Sequence, residues 1–315
     1  MPDPQALLRR RPFAAVAPLV RISPLSGDGA HSGGAFLAEA EDGRRFKLRV
    51  CRSRRRARQL ETTLRAVPEF FPALVAREGR LLLIEYLDGE APSDRKRLRP
   101  YASDLGRFYA EIHRRGARRG AGGRLRTLLE SLRIRLQLVR QLRVLARVDA
   151  GLARQVRAQL TRWRGSYGIP VALELWDTHK ANFLIGGDGR LHYVDEDGLH
   201  YAMRGMGLGK LLADPGVRPG SPKRTREWYA FCEGYAQVGD AGFLTPEYCA
   251  YARLLELIRS IEFKLRKDQR VHKLDDELAE LRELVGPGIK RPPLPSDDDF
   301  GLKREPKPGE LDEPS

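Results

Sequence analysis

Apolar and polar residues alternate with strand period early in the chain and with helix period later. The alternation is plainest in RFKLRV, where Phe46, Leu48 and Val50 share one face and Lys47 and Arg49 the other. With PLVRISPLS and AFLAEAE before it, this run predicts three β-strands of an antiparallel meander, separated by GDGAHSGG and DG. A helix is predicted next, because Ser53 can cap RRRARQLETTLRAV, which ends before Pro68. ALVARE and RLLLIEYL then form a hairpin around Glu78 and Gly79. Residues 20–88 read as a five-stranded sheet with one inserted helix, behind an extension of residues 1–19.

From Ser93 onward the period is helical, in DLGRFYAEIHRRG, in an arginine-rich segment, and again around residues 222–237 and 246–285. One stretch interrupts it. In ELWDTHKANFLIGGDGRLHYVDEDG, residues 174–198, two apolar runs flank GGDG and predict a β-hairpin with polar residues at its open ends. Residues 89–290 are therefore expected to form a mainly helical lobe around this hairpin. Residues 291–315 are proline-rich and acidic without periodicity, which predicts a disordered tail.

Composition limits the setting. The chain of 315 residues is 41% hydrophobic and 31% charged, so it can bury a large core. It has no run of about 18 apolar residues, and its N-terminus lacks a signal-peptide core, so a cytoplasmic protein is expected. Three cysteines, Cys51, Cys232 and Cys249, make neither a disulfide framework nor a metal spacing.

Charge adds a regional feature. The net charge is +15, and the segment Arg114–Arg164 alone, with fifteen arginines against Glu130 and Asp149, carries +13. Leu125, Leu128, Leu129, Leu132, Leu136, Val139, Leu142, Leu145, Val148 and Leu152 recur there at helical spacing, predicting one or two amphipathic helices with an arginine-coated outer face. That face is either a solvated surface or a site for an anionic partner: phosphorylated substrate, acidic lipid headgroup or nucleic acid. Nucleic acid is the weakest of the three, because only Trp163 and Tyr167 could stack on bases.

The chemistry-bearing residues sit at the ends of the hairpin. Asp177, Asn182, Asp195 and Asp197 each have an ordinary reading as turn and cap residues. Taken together, DTHKAN followed by VDEDG, behind a sheet lobe, resembles the protein-kinase-like superfamily in its aminoglycoside phosphotransferase and choline kinase branch, over roughly residues 20–260. The resemblance implies an α+β, two-lobed fold, with a small antiparallel sheet lobe and a larger helical lobe. It also implies an ATP- and magnesium-dependent phosphotransferase. Asp177 falls on the catalytic aspartate that orients the acceptor hydroxyl and takes its proton; Asn182 and Asp195 fall on the metal ligands, with Asp197 as a neighbouring or alternative ligand.

The rest of the resemblance is looser. Gly33 and Gly34 end a loop similar to the glycine-rich phosphate loop. Lys47, or else Arg49, falls on the phosphate-binding position, with Glu61 as its expected partner, and Glu85 to Leu87 on the linker that meets adenine. LGRFYAEIHRRG, with His113, and FCEGYAQVG are similar to packing helices of the family. Leu175 stands where most relatives have a histidine, Trp176 where a glycine is usual, and Lys180 where proline is frequent; His179 is expected to pack the loop.

A helical lobe rich in arginine disfavours a cationic acceptor and favours an anionic or glycolipid hydroxyl, as in the superfamily's lipopolysaccharide-core sugar kinases, with acidic-membrane contact through the arginine helices. Two other readings stay open: a degenerate relative that binds nucleotide or a partner without transfer, and a basic surface-binding protein on a kinase-like scaffold.

Overall fold

A computed structural model of the chain describes residues 3–9, 12–25, 34–93, 98, 100–116, 121–163, 171–175, 177–178, 180–211, 225–267 and 274–286. A short helix, α1 (Pro4–Arg9), precedes the sheet lobe. Strands β1 (Leu19–Pro24), β2 (Ala35–Ala40), β3 (Arg45–Val50), β4 (Leu74–Glu78) and β5 (Leu81–Glu85) pair antiparallel in the order β1-β2-β3-β5-β4. Helix α2 (Arg54–Ala66) is inserted after β3, and the Ser53 side chain accepts a bond from the Arg56 amide at its N-terminus. The β4–β5 turn uses Gly79 at φ +60°, a left-handed conformation that glycine adopts without strain.

The sheet separates its two faces as the alternation in β3 predicts. Phe46 and Leu48 pack with Phe36, Ala38 and Leu83 beneath Leu7 and Phe13. Lys47 and Arg49 lie on the other face beside their cross-strand partners Ile84 and Leu82, which join α2 and the helical lobe in a second core.

The helical lobe contains more strand than its sequence period indicates. After β6 (Gly89–Glu90) come α3 (Ala102–Gly116), α4 (Ala121–Val148) and α5 (Ala150–Trp163). Then β7 (Val171–Leu175) leads into the hairpin of β8 (Phe183–Gly186) and β9 (Leu191–Tyr193), whose turn has Gly189 at φ +74°. Strand β10 (Leu199–Met203) pairs antiparallel with β7, and β6 pairs with β8. The expectation of a single hairpin is thus corrected: VALEL is buried at all five positions, so it shows no alternation. Helices α6 (Leu208–Leu211), α7 (Thr225–Ala236), α8 (Pro246–Lys267) and α9 (Leu274–Val285) complete the described residues. Residues 291–315, expected as a tail, lie outside them.

The two packing signatures meet each other. Helix α3 lies along α7, and a Cβ at Gly106 would overlap the Phe231 carbonyl while one at Gly234 would overlap that of Ser103, so glycine on both helices permits the close approach. His113 of α3 is 2% exposed and bonds the Tyr235 hydroxyl of α7 at 2.8 Å.

The arginine-rich segment is two helices, broken at Asp149, whose carboxylate accepts from the Leu152 amide and starts α5. Its expected outer face is corrected. Leu145 and Leu152 are buried, but Leu125, Leu128, Leu129, Leu132, Leu136 and Val139 are each more than half exposed, so α4 is apolar towards solvent as well as towards the core.

Candidate active site

The loop between β7 and β8 is held by bonds to one carbonyl. Asp177 O accepts from the Tyr193 hydroxyl at 2.7 Å and from Asn182 Nδ2 at 3.1 Å, while Asn182 O accepts from the Val194 amide at 2.8 Å. Asp177 and Asn182 are thereby fixed to the strand that delivers Asp195. Burial pushes the Tyr193 hydroxyl far above its usual range, so it stays a donor. The Asp177 carboxylate is 42% exposed, and its Oδ1 lies 2.5 Å from Lys210 Nζ on α6.

Asp195 and Glu196 sit side by side with opposite titration. Burial raises the Asp195 pKa, and the negative charges of Glu196 and Asp177 add to the rise against the pull of Lys47 and Arg49. Glu196 is buried too, but Lys47 and Arg49 outweigh that burial and hold its carboxyl below the usual range. Lys47 Nζ donates to Glu196 Oε2 at 2.8 Å and to Val194 O at 2.6 Å; Arg49 Nε is 3.9 Å from Glu196 Oε1. Both third-strand cations therefore turn to the residue after Asp195.

Glu61 is not their partner. It pairs with Arg77 and, at 3.4 Å, with Arg65, because Arg77 on β4 and Arg65 one turn along α2 are the cations within its reach. The expected Lys47–Glu61 pair is corrected to Lys47–Glu196.

The other expected residues divide. Gly34 is described: its carbonyl accepts from the Val50 amide at 2.7 Å, and a Cβ there would press on the Val50 carbonyl. Gly33 and the rest of that loop, Trp176, His179, and the side chains of Lys180 and Asp197 lie outside the described atoms. In the linker, the Glu85 amide is spent on Ala73 O and the Tyr86 amide on Arg45 O, so Leu87 is the residue of the three whose amide the sheet does not take.

The loop's support comes from Glu174, which sequence reasoning missed. Its carboxylate accepts from the amides of Gly205 and Gly207 at 2.5 and 2.9 Å and meets His113 Nε2 at 2.7 Å, fully buried. This network ties β7 to the turn before α6 and so sets Lys210 against Asp177. Leu175, in the place of the missing histidine, is buried in β7.

The donor set suits a magnesium ion shared with phosphates. Among the described residues no three His, Cys, Asp or Glu side chains form a metal cluster. Magnesium bound to a nucleotide needs only one or two protein oxygens. Asp195, a half-buried carboxylate beside other negative charges, and Asn182, whose amide nitrogen is already engaged, fit that demand.

No protein-family model and no curated protein sequence matches the chain. Solved structures do. The choline kinase LicA from Streptococcus pneumoniae aligns at TM-score 0.58 and 12% identity, over 89% of this chain and 98% of that one. A choline/ethanolamine kinase family protein from Mesorhizobium loti aligns at 0.57 and 17%, over 89% and 92%. The macrolide 2'-phosphotransferase MphH from Brachybacterium faecium aligns at 0.53 and 17%, over 92% and 99%. The chain therefore has a two-lobed α+β fold similar to that of these kinases and this phosphotransferase.

Proposed function

We propose that the protein is an ATP- and magnesium-dependent phosphotransferase that moves a γ-phosphoryl group to a hydroxyl of a small-molecule or glycolipid acceptor. The observation that carries this reading is the convergence of Lys47 from the sheet on Glu196, beside Asp195, opposite a loop that presents Asp177 and Asn182. Asp177 accepts the hydroxyl proton as the new O–P bond forms and the bond to the β-phosphate oxygen breaks, releasing ADP. Lys210 orients that carboxylate. Lys47 or Arg49 neutralises phosphate charge, and Asp195 and Asn182 would hold the metal. Magnesium, when bound, neutralises the phosphate oxygens and fixes their geometry.

The acceptor follows from charge. An arginine-rich α4 and α5 repel polycations and favour an anionic hydroxyl compound or a glycolipid. Measuring ADP release across anionic, neutral and cationic hydroxyl acceptors tests this. Turnover confined to anionic or glycolipid acceptors supports it, and equal turnover of cationic ones sinks the acceptor class.

A second reading, nucleotide binding without transfer, draws on the 2.5 Å ion pair that occupies Asp177 Oδ1. Saturable MgATP binding with no ADP release on any acceptor would favour it.

A further inference from the structure

Helix α4 exposes apolar surface that the other described residues leave uncovered. Leu125, Leu128, Leu129, Leu132, Leu136 and Val139 are 51–67% exposed and lie within one face of the helix. The stripe spans about 21 Å at 1.5 Å per residue. Soluble surfaces seldom show so continuous an apolar patch without a use for it.

Beside the stripe, α4 and α5 enclose a groove of about 660 Å³. Leu138, Leu142, Leu160, Met203 and Tyr251 line it, and Val139 belongs to groove and stripe alike. Arg135, Arg143, Arg154 and Arg157 stand along it. Each of the four is exposed, and none has a carboxylate within ion-pair distance among the described residues. By contrast, Arg133 and Arg140 on the same helix pair with Glu130 and Glu262.

Charge decides what covers this face. Residues 121–163 contain ten arginines against Glu130 and Asp149, a net of +8. A second copy would bring the same +8 against it, so self-association is opposed. Nucleic acid would meet the arginines but waste the leucines, since aliphatic side chains offer no stacking platform. A surface with anionic headgroups over hydrocarbon satisfies both halves: guanidinium forks take lipid phosphates and the leucines enter the acyl boundary.

We propose that the outer face of α4, with the α4–α5 groove, docks the protein on an acidic lipid bilayer, one lipid headgroup and the start of its chain entering the groove. The face packs on the strand pair that leads to the candidate active site: Ser131 reaches Met203 and Arg126 stacks on Tyr201, in β10, and these two residues pair with Val171 and Leu173 of β7, six and four positions before Asp177. Docking there brings the site to acceptors carried in the membrane. Only that purpose rests on the phosphotransferase reading; the docking itself does not.

The test is vesicle co-sedimentation of the full chain with pure phosphatidylcholine and with about 30 mol% phosphatidylglycerol, at roughly 0.1 and 0.5 M salt. Binding is expected on the anionic vesicles alone and is lost at high salt. Each arginine near the surface is worth about fivefold in affinity, so Arg135→Gln, Arg143→Gln, Arg154→Gln and Arg157→Gln together weaken binding by more than about 100-fold. Leu128→Gln, Leu132→Gln and Leu136→Gln together also weaken it, with an unchanged or higher melting temperature because these side chains are already exposed. Asp177→Ala binds as the wild type does, so failed docking and failed transfer are read separately.

Absence of vesicle binding overturns the proposal. So does loss in the arginine variant with none in the leucine variant, which would mark a site for free phosphate compounds. Binding to single-stranded RNA without vesicles, or a leucine-dependent dimer without vesicles, assigns the face to another partner and overturns it too.

Discussion

Lys210 Nζ lies 2.5 Å from Asp177 Oδ1, linking a four-residue helix to a loop 33 positions earlier in the chain. The carboxylate that would take the acceptor proton is thus held by a side chain, not left to rotate. Lys210→Ala is expected to lower kcat by about 10- to 100-fold with little change in the KM for ATP, since positioning is realised mainly in the transition state. Lys210→Arg should recover part of the loss. Asp177→Asn should lose about 10²- to 10⁴-fold with MgATP affinity retained. Steady-state kinetics on the best acceptor check both, and a rise in kcat for Lys210→Ala would show the lysine to be restraining.

The two glutamates near the third strand are expected to behave differently. Glu196 is buried between Lys47 and Arg49, so Glu196→Gln strands buried cations and costs roughly 3 kcal/mol of stability. It also weakens nucleotide binding. Glu61→Gln breaks pairs nearer the surface, costs under about 1 kcal/mol, and leaves nucleotide affinity unchanged. Urea unfolding and calorimetric titration distinguish the two. Equal effects would return Glu61 to the role first expected of it.

Glu174 and His113 form a support whose loss should reach the catalytic loop. His113→Leu leaves the fully buried Glu174 carboxylate and the Tyr235 hydroxyl short of a partner, at a cost of about 3 kcal/mol. Because Glu174 also anchors the turn before Lys210, turnover should fall even at temperatures where the variant is folded. Full activity in a destabilised variant would confine the network to stability.

Asp195 yields a pH prediction with a definite sign. Its pKa in the folded protein is raised from the ordinary 3.8, so the proton is bound more tightly in the folded than in the unfolded chain. The stability this proton gives is fully present below pH 3.8 and is lost as pH rises through the higher folded value. Asp195→Asn should therefore raise the melting temperature of the ligand-free protein at pH 7–8 by about 2–4 °C for each kcal/mol recovered, with the gain shrinking as pH falls. Magnesium-dependent nucleotide binding should weaken over the same acid range, as protons compete for the ligand.

The residues read well where a local pattern matched a local structure. Alternation in RFKLRV, the Ser53 cap and the glycine turns at Gly79 and Gly189 all encode bonds within a few positions, and each was legible. The resemblance of DTHKAN and VDEDG singled out Asp177, Asn182 and Asp195, and the structure joins the first two through the bond from Asn182 Nδ2 to the Asp177 carbonyl. Lys210 and Glu174 were not, because their partners lie 33 positions away and in another element, respectively. Glu196 was overlooked beside two aspartates, although DED after a strand could have marked it. The period of α4 revealed an apolar stripe without saying which face is inward; only tertiary contacts decide that.

The most direct measurement is thermal melting with ATP and magnesium, alone and together, on the wild type and on Asp195→Ala. A nucleotide–metal site of Asp195, Asn182 and Lys47 predicts a rise of several degrees that requires both ligands and is absent in the variant. No rise at millimolar ligand, or an equal rise in Asp195→Ala, would contradict it.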